Sequence, residues 1–142
     1  MLQGFESIAE LLPHQGSMCF WEQVVDWDTT RIVLCSDMHR DLVHPLRDAG
    51  RLHAVHLCEY GAQAMAVHGG LLGREIGRPV RQGMLVALRA VTLYVDRFDD
   101  LPQALHGEAA VLLQGEDSQQ YTFRIFHVGQ LLAEGRAVVM LD

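Results

Sequence analysis

The sequence predicts an α+β fold in which an antiparallel sheet wraps one long helix. Three observations predict it. From about His53 to Leu72 the chain is apolar on nearly every helical face, the mark of a helix buried all round. Six other segments carry β-rich or alternating patterns. Turn-forming clusters separate the later ones, as in successive hairpins.

In chain order, Phe5 to Leu12 (FESIAELL) predicts a short helix stopped by Pro13. Leu12 to Met18 is a turn-rich connection. Cys19 to Trp27 and Arg31 to Met38 read as strands, and Asp28-Thr29-Thr30 between them as a hairpin turn. His39 to Leu52 is a loop with Pro45 and Gly50. In the central helix, Ala54, Val55, Cys58, Ala62, Met65, Ala66 and Gly69 follow spacings of three and four. Gly69, Gly70 and Gly73 are expected to end it, because helices often stop at residues with positive φ. Arg74 to Gln82 is a polar, basic connector.

Four strands are expected after it. Gly83 to Asp96 is long enough to bend or carry a bulge. Leu105 to Gln114 follows a turn at Pro102. In Tyr121 to Val128, Tyr121, Phe123 and Ile125 share one face, with Thr122 and Arg124 opposite. In Gln130 to Leu141, Leu131, Ala133, Ala137 and Val139 share one side. Small residues on the helix suit a sheet curled closely round it. Such a sheet leaves outer edges for a second subunit to pair with.

The 142 residues suit a single domain, 1–142, with one core. Net charge is −7, which disfavours nucleic acid as the main partner. No apolar run is long enough for a membrane span, and the N-terminus lacks the basic and apolar regions of a secretory signal. Cys19, Cys35 and Cys58 form no CxxC pair, so reduced thiols and a cytoplasmic location are expected. No Gly-rich phosphate loop or dinucleotide fingerprint is present, and no cofactor is expected. His53, His56 and Glu59 are too spread on a helix to form a metal site, and no fourth ligand is evident.

Glu59 needs a reason to sit in so apolar a helix, since a buried carboxylate costs several kcal/mol unless paired or hydrogen-bonded. Gln63 lies one turn on and projects the same way. His44 stands just upstream. Three motifs then carry a family likeness. Leu12-Pro13-His14-Gln15, Val43-His44-Pro45 and Glu59-Tyr60-Gly61-Ala62-Gln63 occur in order along the chain. Together they resemble the hot-dog-fold 3-hydroxyacyl-[acyl-carrier-protein] dehydratases, in particular the divergent branch associated with aryl-polyene clusters. The likeness covers nearly the whole chain. It departs at His53 and Ala54, where the family has Pro-Gly, and at Pro45, where it has Phe. The spacing from His44 to Glu59 is also one residue longer.

The resemblance implies dehydration of 3-hydroxyacyl thioesters to trans-2-enoyl thioesters. It assigns His44 as base, Glu59 as acid, the Ala54 N–H (with Val55 beside it) as oxyanion donor and Gln63 as the group that orients Glu59. A histidine base and a carboxylic acid suit that proton traffic. The donor would be an acyl-carrier-protein or coenzyme A thioester. Arg74, Arg78 and Arg81, with Arg47 and Arg51, form the densest basic cluster and a candidate dock for an acidic carrier protein. The site is expected to span two chains, in a homodimer, a higher oligomer or a hetero-oligomer with another hot-dog subunit. Two rivals stay open: a hot-dog acyl thioesterase, and an inactive acyl-binding or partner subunit.

Overall fold

The computed structural model describes residues 19–75, 77 and 83–141. The predicted Phe5–Leu12 helix, the turn with His14, and Arg78 and Arg81 lie outside the described residues.

Among the described residues, six strands form one antiparallel sheet around one long helix. They are β1 (Gln23–Trp27), β2 (Arg31–Ser36), β3 (Gly83–Leu93), β4 (Leu105–Gln114), β5 (Ser118–His127) and β6 (Gln130–Leu141), and the helix is α1 (Leu57–Glu75). The sheet order is β1-β2-β4-β5-β6-β3. The helix enters after β2 and packs across β4 and β5. Its long apolar register is explained by burial, with Leu57, Tyr60, Ala64, Met65, Val67 and His68 all fully buried.

The strand reading matches within a few residues. At the start of the first predicted strand, Cys19 to Glu22 precedes the ladder and serves as a strap. There the Phe20 N–H donates to the Gln63 side chain and the Trp21 indole N–H to the Tyr60 carbonyl, at 2.9 and 2.8 Å. β3 carries two register shifts, at Leu85/Ala87 and Arg89/Thr92, and Ala90 has φ +53°. The β5–β6 turn has positive φ at both Val128 and Gly129, the two-residue geometry that suits the twist of the flanking strands. β6 departs from strict alternation near its start. Ile125 pairs with Ala133 but Phe126 with Leu131, so Leu132 and Ala133 are both buried.

Two expectations about the helix are corrected. A 3-10 turn, Ala54–His56, precedes α1. The helix then continues through Gly69, Gly70 and Gly73 to Glu75. Gly69 is a contact residue, since a Cβ there would stand 3.3 Å from the Gln119 amide. The left-handed residue lies further on, at Gly77, whose N–H reaches the Arg74 carbonyl.

Candidate active site

The loop before α1 is fixed by its own polar groups. Arg47 donates to the carbonyls of Asp41, Gly50 and His39. The Asp99 carboxylate accepts the Leu52 N–H at 2.8 Å. Arg97 grips the same carboxylate and holds its pKa down at about 2. The chain therefore reaches the first turn of α1 along a set path.

Glu59 stands in that first turn, half-buried. The Gln63 Nε2 donates to the Glu59 Oε2 at 3.1 Å, while the Gln63 Oε1 accepts the Phe20 N–H at 2.9 Å. A backbone N–H can only donate, so the amide oxygen must face Phe20 and the nitrogen must face Glu59. The strap thus orients Gln63, and Gln63 orients the carboxylate.

His44 lies in the loop before α1, against the rings of Phe20 and Tyr60. It is 4% exposed and lies 4.6 Å, centroid to centroid, from the Phe20 ring. Its Nε2 is 3.1 Å from the Tyr60 hydroxyl, and its Nδ1 accepts the Leu46 N–H at 3.2 Å. Burial, followed by the Arg47 charge, lowers its pKa to about 4. Both ring nitrogens have a partner inside the subunit.

Ala54, the expected oxyanion donor, opens the 3-10 turn before α1 and is buried. Its N–H donates to the Asp96 carbonyl at 2.9 Å, a bond set up by the strand-like contact of His53 with Arg97. The His56 N–H is taken by the His53 carbonyl. Val55 between them is exposed, and its N–H has no partner among the described residues. Of the basic cluster, Arg74 is exposed at the end of α1, whereas Arg47 is spent on loop carbonyls. Among the described residues no group of three or more His, Cys, Asp or Glu side chains could hold a metal ion.

His68, which has no pattern in the sequence, is fully buried. Its Nδ1 is 2.6 Å from the Tyr121 hydroxyl and its Nε2 2.7 Å from the Asp28 carbonyl. It ties α1 to β5 and to the β1–β2 turn.

A family model for ApeP-like proteins, the ApeP dehydratases, matches residues 6–141. The chain belongs to the ApeP-like dehydratase family. The fold of this dehydratase is the hot-dog fold. It is similar to a chain of the dehydratase heterocomplex ApeI:P from Xenorhabdus doucetiae, with 27% identity and a TM-score of 0.87, over 95% of this chain and 90% of that one. Two further structures share the fold at lower identity. AziG from S. sahachiroi is 20% identical over 84% of this chain and 89% of its own, with a TM-score of 0.59. A hypothetical thioesterase protein with coenzyme A from Streptococcus pneumoniae is 12% identical over 84% of each chain, with a TM-score of 0.61. No curated protein matches the sequence.

The buried histidines of this dehydratase give it a pH-dependent stability. Burial lowers the pKa values of His39, His44 and His68. Each is neutral when folded and takes up a proton near pH 6.5 when unfolded. The unfolded chain therefore binds more protons in this window, and stability rises with pH there. Full stability is present above about pH 6.5 and is lost as pH falls toward about 4. His44 alone is worth on the order of 2 kcal/mol between pH 7 and pH 5. Urea unfolding at the two pH values checks this, and equal midpoints would refute it.

Proposed function

We propose that this dehydratase removes water from 3-hydroxyacyl thioesters carried on an acidic carrier protein, in fatty-acid or polyene-type synthesis. The supporting observation is the oriented carboxylate. Gln63 holds Glu59 at the head of a buried helix, and the Phe20 N–H of the strap holds Gln63. In the reaction the C2–H bond gives up its proton and the electrons form the C2=C3 bond. The C3–O bond breaks, and the proton from Glu59 completes the leaving water. The exposed Val55 N–H is the donor suited to the thioester oxygen as charge builds on it. Arg74, with Arg78 and Arg81, supplies positive charge for the carrier protein.

The reaction takes two groups, and the second reaches Glu59 from a neighbouring subunit. β3 supports such an assembly. Among the described residues it is the last strand of the sheet, and it exposes Met84, Val86, Leu88 and Leu93. An apolar, unpaired edge of this kind favours pairing with another chain. Its partner is a second copy or another hot-dog subunit. Replacing both Val86 and Leu88 by Lys is expected to shift the assembly toward monomer without unfolding it, because lysines on an edge oppose pairing. Sedimentation would read the change, and an unaltered oligomer would count against this edge.

The test of function is mass spectrometry of 3-hydroxyacyl carrier-protein thioesters incubated with the purified assembly. Loss of one water, reversible from the trans-2-enoyl thioester, supports the reading. Release of free carrier thiol instead would make the protein a thioesterase, and no conversion across acyl lengths would make it a binding subunit.

A further inference from the structure

We propose that Gln119 is a specificity residue: its amide stands at the far end of an apolar groove that starts at Glu59, and it binds a hydrogen-bonding group near the tail of the acyl chain. The inference deepens the dehydratase reading and rests on it for the identity of the reacting end.

The groove begins with the helix. Most residues of α1 between Glu59 and Gly73 are buried. Glu59, Ala62, Ala66, Gly69 and Gly73 are half-exposed, at spacings of three and four. That spacing sets them in one row along the helix. Past Glu59 every member of the row is alanine or glycine, so the row is a channel and not a ridge. The sheet supplies a second wall. α1 packs across β4 and β5, and β3 lies two strands beyond β5. On β3, Leu85, Leu88 and Leu93 pair with Val139, Ala137 and Ala133, which pack in or against the core. Directly paired residues share a face of the sheet. The three leucines therefore turn toward the helix side, and all three are still exposed.

Gln119 interrupts this apolar surface. It sits near the start of β5, in one cross-strand row with Val139 and Leu85. It is 7% exposed. Its Nε2 and Oε1 lie 3.3 and 3.5 Å from where a Cβ on Gly69 would stand. The amide thus fills the place of a side chain at 69, in the row that begins with Glu59. Among the described residues neither its nitrogen nor its oxygen has a hydrogen-bond partner. The buried amide of Gln63, by contrast, uses both ends. A buried amide left unsatisfied is costly, and a ligand that satisfies it removes that cost.

The length of the groove sets the ligand. From Glu59 to Gly69 the helix rises about 15 Å. An extended chain covers that distance in roughly a dozen bonds. The fitting ligand is a long acyl chain, apolar along its length, with a hydroxyl, carbonyl or amide near its end. A plain alkyl tail of that length leaves the Gln119 amide buried and unpaired.

Calorimetric titration of the native assembly with two ligands tests this. Both are dodecanoyl pantetheine analogues in which an amide replaces the thioester; one chain ends in a methyl group and the other in a hydroxyl. The hydroxyl ligand is expected to bind roughly five- to ten-fold more tightly. Gln119→Met keeps the length of the side chain without its amide. It is expected to abolish the preference while the methyl ligand binds at least as well as to wild type. Gly69→Ala sets a methyl 3.3 Å from the amide and displaces it, so the preference should shrink with Gln119 still present. Equal affinities in wild type, or an unchanged preference in Gln119→Met, would overturn the proposal. Binding of neither ligand would overturn it too, and would make the groove a seat for another subunit. A preference for the hydroxyl ligand, with no dehydration of 3-hydroxyacyl carrier-protein thioesters, would sink the dehydratase reading and leave the role of Gln119 standing.

Discussion

Glu59→Gln is expected to lower dehydration by roughly 10²–10⁴-fold, the usual scale for losing a positioned general acid. Gln has nearly the shape of Glu, and its carbonyl oxygen can still accept the Gln63 amide that now sits 3.1 Å away. The strap bond from Phe20 to Gln63 is untouched. Thermal stability and oligomeric state should therefore stay close to wild type. What disappears is the proton that an acid gives to the departing hydroxyl, which an amide does not supply. The loss should fall mainly on kcat, because the proton moves only in the transition state. Gln63→Leu offers a graded companion. It leaves the carboxylate in place but frees it, so a smaller loss of about ten-fold is expected, the scale on which misplaced catalytic groups are felt. Mass spectrometry of carrier-protein thioesters measures both. Full activity in Glu59→Gln would remove Glu59 from the mechanism, and a Gln63→Leu loss as large as that of Glu59→Gln would mean that Gln63 does more than orient.

Much of the fold was legible because its signals are local. Strand alternation and hairpin turns lie within ten residues or so, and the buried helix shows itself by having no polar face. What escaped was set by distant partners. Gly69 and Gly70 look like a helix stop, since glycine serves equally as a cap and as a close-contact residue. Only Gln119, fifty positions later, shows the second use at Gly69. The pairing of Glu59 with Gln63 could be read from the i, i+4 spacing. The burial of His44 against Tyr60 could not, because a loop histidine beside a proline looks alike whether it faces substrate or core. Tyr60 did offer a hint. A tyrosine in an apolar helix needs a partner for its hydroxyl, and His44 is that partner. The fate of the Ala54 N–H depends on Asp96, which no helix motif includes. His68 and Tyr121 likewise meet only in the fold.

Gly61→Ala is expected to destabilise the protein by about 2 kcal/mol, although Ala is the better helix former. Two effects oppose each other. Replacing Gly by Ala inside a helix ordinarily gains about 1 kcal/mol. Here the new Cβ would stand 2.6 Å from two atoms of the Phe123 ring, well inside van der Waals contact. Overpacking of this kind costs about 1–3 kcal/mol, and more where nothing can yield. Phe123 has little room to yield. It is buried, and on its far side the strand opposite comes so close that a Cβ at Gly135 would lie 3.1 Å from the ring. Relief must come from moving α1 off β5, which would disturb the first turn that carries Glu59 and Tyr60. The steric term therefore wins. A double-mutant cycle identifies the cause. Phe123→Leu alone should cost about 1 kcal/mol or somewhat more. Combined with Gly61→Ala it should cost less than the sum of the two, by about 1 kcal/mol, because the smaller side chain makes space for the methyl. Urea unfolding of the four proteins gives these values. A Gly61→Ala protein more stable than wild type, or strict additivity in the cycle, would show that helix propensity and not the approach of α1 to Phe123 governs this position.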